Sequence, residues 1–322
     1  MRPRLAVVLV LVLAGCGSSP GTSPAPDAAS PDGPPSAAVE DVATGLTDPS
    51  TISLDAAHVY VVHDASQISR VAKTGGGIVQ IATGQRGPSS LDATTDRLYW
   101  VNTGTHSMDF RDGSVRWSAK TGGADNELAT SYFPAALAVD GDTVYWVEID
   151  GQRVRQIGTS GTGAMTLDDS PTHKTSIAVT PTRIVWTASS DMADVVSMNR
   201  VSGDRTTLST AEYSPGSAVV IGDDVYWVVR HALSDSGSIR VSRNGAAPVD
   251  IVSDEYYPAG LVADGSSLYW TSDGRIRTVA LAGGAARSLV TERGAIGGLA
   301  IDAEHVYWSE LDRDALVRAR LR

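Results

Sequence analysis

Leu268-Tyr269-Trp270-Thr271-Ser272-Asp273-Gly274-Arg275-Ile276 lies in the middle of a unit of four short apolar runs. Gly260–Ala263 is small and apolar, Asp264-Gly265 reads as a turn, and Ser267–Thr271 alternates. Arg275–Leu281 is a third run, Gly283-Gly284 a tight hairpin turn, and Arg287–Thr291 a fourth run. Period-2 alternation marks half-buried strands, and paired glycines supply the positive φ that such a turn requires. The unit therefore reads as four antiparallel strands.

Outward from this unit, the aromatic pair recurs as Tyr99-Trp100, Tyr145-Trp146, Tyr226-Trp227 and Tyr307-Trp308, with degenerate copies Tyr60-Val61 and Val185-Trp186. A proline stands twelve residues before the second member in five copies, at Pro49, Pro88, Pro134, Pro215 and Pro258; Lys174 and Ile296 take that place in the others. A fixed spacing of roughly 40 residues, four strands per unit, is the signature of a β-propeller. Val42-Ala43-Thr44-Gly45 before Pro49 matches Ile81-Ala82-Thr83-Gly84 before Pro88, so the first segment is a fourth strand lacking its own first three. The last unit, Leu299–Leu321, has three strands and lacks the fourth. The expected fold is all-β: a seven-bladed propeller over residues 39–322, its four-stranded blades closed when the N-terminal strand completes the C-terminal blade and covers the edge.

The repeat resembles the YWTD propeller repeat of low-density-lipoprotein-receptor-type proteins, most closely at Leu268–Ile276. Arg70, Arg116, Arg155 and Arg277 recur six residues before a hairpin glycine. The resemblance implies the fold. Blade number departs from the family, which has six, and the Cys-rich modules that accompany those receptors are missing, so no receptor function is carried over. The Gly-His and Trp-Asp signatures of WD40 repeats are absent.

The first residues supply an address. Arg2 and Arg4 precede the apolar run Leu5–Leu13, and Leu13-Ala14-Gly15-Cys16 resembles a bacterial lipobox. This reads as a signal peptide over 1–15, too short to span a bilayer. Cys16, the one cysteine of the chain, would be the acylated first residue of the mature protein. Residues 16–38 would then form a Pro/Ser/Gly-rich tether that buries too little apolar area to fold. The expected location is the cell envelope, lipid-anchored, and the outer membrane if the source is Gram-negative, since Gly17 rather than Asp follows the cysteine.

Composition narrows the function. The chain has 322 residues and a formal charge of −11, with no Lys/Arg cluster, which disfavours nucleic acid as a partner. A single cysteine excludes a multi-cysteine zinc site. No nucleophile elbow or His-Glu-x-x-His is present. The inner runs begin with small residues such as Ser89-Ser90 and Gly297-Gly298, which offer no ring of oxygen ligands for calcium. No cofactor or metal is expected.

The aromatics outside the anchor point to a face. Tyr132, Tyr213, Tyr256 and Tyr257 all lie just before a periodic proline, with Phe133 beside them. These connections join the outer strand of one blade to the inner strand of the next. They share an end of the ring with the loops between second and third strands, of which Asn102–Gly113, carrying His106 and Phe110, is the longest. Arg230–Gly237 and Ala188–Ala193 are also extended. Insertions confined to one face mark a binding side. The ligand-binding candidates are thus Tyr132, Phe133, Tyr213, Tyr256, Tyr257, Lys174, His106 and Phe110. Each tyrosine either presents its ring or braces its own proline. Lys174 either presents a cation at the mouth or is simply solvated. His58, His305, Glu148 and Glu310 read as turn or strand-end residues. The expected function is a binding or scaffold module for a protein, peptide or glycan; the competing reading is a hydrolase or lyase using His63, His106, His173 or His231 with loop-face acids.

Overall fold

A computed structural model describes residues 37–188, 193–231 and 235–321. Seven four-stranded antiparallel sheets follow one another as blades. The first comprises Ile52–Leu54, His58–His63, Gln67–Ala72 and Val79–Ala82, from the axis outward. The next five occupy 88–131, 134–168, 174–212, 215–256 and 259–290. The seventh takes Ile296–Ile301, His305–Glu310 and Ala315–Arg320 from the C-terminus and Val39–Thr44 from the N-terminus. Val39–Thr44 runs antiparallel to Ala315–Arg320, from Val39 opposite Ala319 to Thr44 opposite Ala315. The chain is therefore a seven-bladed β-propeller closed by its own N-terminal strand. The expected signal peptide, Cys16 and the expected tether up to residue 36 lie outside the described residues, as do 189–192 and 232–234 of the two extended loops.

The recurring Tyr-Trp pair has a geometric cause. Successive residues of a strand point to opposite faces, so each pair sends one ring into each neighbouring wedge. Tyr60 packs with Trp100 of the next blade, Tyr99 with Trp146, Tyr145 with Trp186 and Tyr269 with Trp308. Tyr226 and Trp270 share a further cluster. At the closure Tyr307 meets Val61, the degenerate position of the first blade. The anchor is scaffold: Trp100, Trp146, Trp227, Trp270 and Trp308 are completely buried.

A buried indole N–H calls for an acceptor, which Trp100, Trp146, Trp270 and Trp308 find and the Nε1 of Trp227 does not. Trp270 Nε1 donates to Glu255 at 3.0 Å, Trp100 to Gln85 at 3.0 Å and Trp146 to Ser131 at 2.9 Å. All three acceptors stand fifteen residues before their tryptophan. In the last blade that place is Arg293, and Trp308 donates instead to Glu310, two residues after it, at 2.8 Å. Glu310 and Glu148 stand at strand ends as expected, but they are buried acceptors rather than exposed turn acids. Burial alone would raise the Glu310 pKa, but hydrogen bonds from Arg293, Trp308 and Arg313 outweigh it and hold the carboxyl below its usual range. The recurrent arginines complete the set. Arg277 pairs with Glu255 at 2.9 Å, Arg155 with Glu148 at 3.4 Å and Arg116 with Asp125 at 3.2 Å. All three sit opposite the anchor tryptophan in register. Arg70 does not belong with them: it sits opposite Tyr60, one residue out of phase, and its side chain takes the other face of its blade.

The end of the ring that carries the turns between first and second strands is stitched differently. Asp55, Asp264 and Asp302 each accept turn N–H groups and the hydroxyl of the tyrosine five residues on, at 2.8, 2.9 and 3.1 Å. Burial first, then the Asp264 carboxylate, pushes Tyr269 up to about 12, so its hydroxyl remains a donor. Lys120 of the second blade reaches Asp55 of the first at 2.5 Å, and Lys73 of the first reaches Asp302 of the seventh at 2.7 Å. These two bridges bind the second blade to the first and the first to the seventh.

Candidate functional site

The connections into each inner strand have a common corner. The residue before each periodic proline has a positive φ: Asp48 at 46°, Gly87 at 66°, Phe133 at 48°, Ser214 at 44° and Tyr257 at 45°. Glycine, aspartate and serine are ordinary or tolerable there, whereas a large aromatic in the left-handed region is an outlier. Two of the prolines, Pro134 and Pro258, dock on a glycine at the start of the third strand of the preceding blade. A Cβ on Gly113 would come within 2.7 Å of Pro134, and one on Gly237 within 2.6 Å of Pro258.

Two aromatic groups grow from these corners. At the junction of the second and third blades, Phe133 stacks on Phe110 with ring centroids 4.3 Å apart and planes at 13°. His106 meets Phe110 edge-on at 5.7 Å, and the Arg111 guanidinium lies 5.6 Å from the Tyr132 ring. Asp112 holds this loop together, accepting from Thr105 N at 2.8 Å and Thr105 Oγ1 at 2.9 Å and pairing with Arg86 at 3.2 Å. At the junction of the fifth and sixth blades, Tyr256 and Tyr257 meet edge-to-face at 4.7 Å. Both hydroxyls donate to Asp235, that of Tyr256 at 3.2 Å. The hydrogen bond to Asp235 and partial burial both raise the Tyr257 pKa. Tyr256 is 42% exposed and Tyr257 47%.

The candidates thus fall on one end of the ring in two groups rather than in one continuous rim. His106, Phe110, Tyr132 and Phe133 make the first; Tyr256 and Tyr257, with Asp235, make the second. Tyr213 lies half-buried at the junction between them, after the fourth blade. Lys174 requires a correction, because it is neither solvated nor presented to the mouth. Its side chain has no exposure, pairs with Asp168 at 2.9 Å and donates to the Gln152 carbonyl at 2.8 Å. The position of a proline ring is filled here by a folded-back ammonium that needs buried acceptors.

The histidines named for catalysis have other partners. His63 Nε2 shares a hydrogen bond with Ser69 Oγ at 2.9 Å, and burial lowers its pKa, keeping the ring neutral. His231 contacts Ser236 and Ser238 at 3.2 and 2.9 Å. A His–carboxylate approach does occur at the opposite end of the ring, where His58 Nδ1 lies 3.6 Å from Asp55. That end also holds a cavity of about 920 Å³, over the ends of the inner strands of the first four blades. Sequence reading missed it because its walls come from residues as distant as Leu54 and Pro181; the available signal was Asp92, the charged exception in a column of small and apolar residues.

No protein-family model matches the chain, and no curated protein matches it. Among solved structures, a catalytically inactive virginiamycin B lyase from Staphylococcus aureus with quinupristin is similar, with a TM-score of 0.69 and 14% identity, over 88% of this chain and 99% of that one. Kuenenia stuttgartiensis hydrazine synthase is similar at 0.67 and 13% identity, over 86% and 96%. The nidogen/laminin complex matches at 0.53 and 16%, over 69% and 90%. These likenesses join two enzymes and a protein–protein complex, and what they share with this chain is the propeller fold.

Proposed function

We propose that the protein is a lipid-anchored propeller of the cell envelope that binds a protein, peptide or glycan partner through the end carrying the outer-to-inner connections. The observation that carries this reading is the placing of Phe133 and Tyr257 at left-handed corners. Each such corner costs of order 1 kcal/mol or more for a non-glycine residue, and Gly87 fills the same corner in another blade without that cost. Backbone preference therefore argues against aromatics there, and their use in recognition accounts for them. The lyase among the similar structures makes a lyase reading the natural competitor. It needs a histidine with a carboxylate at this end, and the partners of His63 and His231 here are serines.

Two experiments test the reading. Replacing Cys16→Ala should move the protein from the membrane to the soluble fraction; unchanged fractionation removes the anchor. The released protein should then enrich a discrete partner from a glycan and peptidoglycan-fragment array or a pull-down of envelope proteins. Combining Phe110→Ser with Tyr257→Ser should abolish that enrichment while the far-ultraviolet circular dichroism is kept. Equal capture by the double variant would overturn the assignment of this face.

A further inference from the structure

Three tyrosines at the end of the ring opposite the aromatic groups show what this chain sets beside a tyrosine bonded to an aspartate. Tyr307 donates to Asp302, and Lys73 pairs with that carboxylate while standing 5.3 Å from the Tyr307 ring centroid. Tyr60 donates to Asp55, and Lys120 pairs with Asp55 at 6.0 Å from the ring. Tyr226 donates to Asp224, and Arg243 pairs with Asp224 at 5.8 Å from the ring. A cation held in this way is attracted both by the carboxylate and by the negative face of the ring. An ionised carboxylate has about four acceptor sites. Asp55 and Asp302 each fill theirs with two turn N–H groups, the tyrosine hydroxyl and the lysine. Asp264 pairs with no cation among the described residues, but there the Ser266 hydroxyl joins two N–H groups and the Tyr269 hydroxyl.

At the junction of the fifth and sixth blades the same tyrosine–aspartate arrangement occurs without a cation. Asp235 accepts the hydroxyls of Tyr256 and Tyr257, and no further donor or ion pair reaches its carboxylate among the described residues. Tyr60 and Tyr307 are buried, whereas Tyr256 and Tyr257 are exposed and inclined at 76° to each other, so they form two walls open to a partner. Partial burial, then the charge of Asp235 and its hydrogen bond, and last the charge of Asp273, raise the Tyr256 pKa, so a second carboxylate stands near this pair. Arg230 lies near enough for its charge to bear on Tyr257, yet it pairs with neither carboxylate among the described residues.

We infer that Tyr256, Tyr257 and Asp235 form a notch for the basic side chain of a peptide or protein partner, an arginine or lysine whose cation lies against the tyrosine rings and pairs with Asp235. On the binding role proposed above for this face, on which this assignment rests, the partner is cationic at this point rather than a neutral glycan. The formal charge of −11 on the chain attracts such partners from a distance.

The test is an NMR titration of the full chain carrying Cys16→Ala, its tyrosine rings isotopically labelled, with the blocked peptide acetyl-Ala-Arg-Ala-amide. The expected result is a saturable shift of the Tyr256 and Tyr257 ring signals, with a dissociation constant of roughly 1–10 mM. Citrulline in place of arginine keeps the shape and removes the charge, and it should weaken binding about fivefold or more. Asp235→Asn keeps an acceptor for the tyrosine hydroxyls and should weaken binding about threefold or more. Added salt should weaken it further. No shift at the two tyrosines, equal binding of the citrulline peptide, or an unaltered affinity in a folded Asp235→Asn protein would each overturn the assignment. So would shifts produced by an N-acetylglucosamine trisaccharide while the arginine peptide produces none. If the Phe110→Ser, Tyr257→Ser protein loses partner capture but the arginine peptide leaves the parent unshifted, the cationic notch falls and the binding face stands. Saturable, charge-dependent shifts in a chain that captures no partner uphold the notch and remove the binding role proposed for the face.

Discussion

Trp270→Ala should lower the stability of the propeller by about 3–5 kcal/mol, the usual cost of truncating a fully buried large aromatic. Trp270 has no exposure and fills the wedge against Tyr226 of the preceding blade. The alanine leaves a cavity that rigid sheets on both sides cannot collapse. It also takes the indole donor from Glu255, which keeps only the guanidinium of Arg277. At roughly 2–4 °C per kcal/mol for a chain of this class, the melting temperature should fall by about 10 °C. Trp270→Phe separates the contributions, since it keeps most of the ring and loses the hydrogen bond, so its loss should be clearly smaller. A Trp270→Ala protein melting within about 2 °C of the parent would contradict the wedge packing described here.

Deleting Val39–Thr44 should be comparably damaging, for a different reason. The deletion removes one strand of the seventh blade and leaves Ala315–Arg320 as an open edge. Burial of Val42 alone contributes roughly 1.5–3 kcal/mol. Ladder hydrogen bonds add about 1 kcal/mol each, and two cross-strand pairs, Arg318–Glu40 at 2.7 Å and Arg313–Asp41 at 3.0 Å, are lost as well. Those pairs are half exposed and add little. The expected result is a fall of at least about 10 °C together with concentration-dependent association through the bare edge. Truncation of residues before Ala37, whose own N–H donates to the Leu289 carbonyl at 3.0 Å, should change neither quantity.

The fold was legible because it repeats. The Tyr-Trp anchor, the proline twelve residues before it and the matching ends at Val42–Gly45 and Ile81–Gly84 each record a constraint that every blade meets in the same way. The sixth unit read from sequence as Ser267–Thr271 and Arg275–Leu281 is Ser267–Ser272 and Arg275–Ala280 in the structure. Departures from the repeat were harder to read. Lys174 stands in a proline position, and nothing local announced that its ammonium folds back onto Asp168. Arg70 looked like its three counterparts by its distance from a glycine, but register, not spacing, decides which face a side chain takes. Glu148 and Glu310 read as strand-end acids, and their buried roles follow from the residue fifteen before the tryptophan: Ser131 accepts the Trp146 N–H and passes its own hydroxyl to Glu148, whereas Arg293 cannot accept and leaves Trp308 to Glu310. The two aromatic groups were legible as residues and as an end of the ring. That they separate into the Phe110–Phe133 stack and the Tyr256–Tyr257 pair depends on which blade junctions carry them.

All of these placements rest on a ring sealed by its own two ends, and a cross-link tests that most directly. Thr44 and Ala315 face each other across the sealing strands. In a chain carrying Cys16→Ala, Thr44→Cys and Ala315→Cys, mild oxidation should produce an intramolecular disulfide in the monomer, identified by mass spectrometry of the linked peptides and accompanied by a raised melting temperature. Free thiols after oxidation, or disulfides formed only between molecules, would contradict the closed ring.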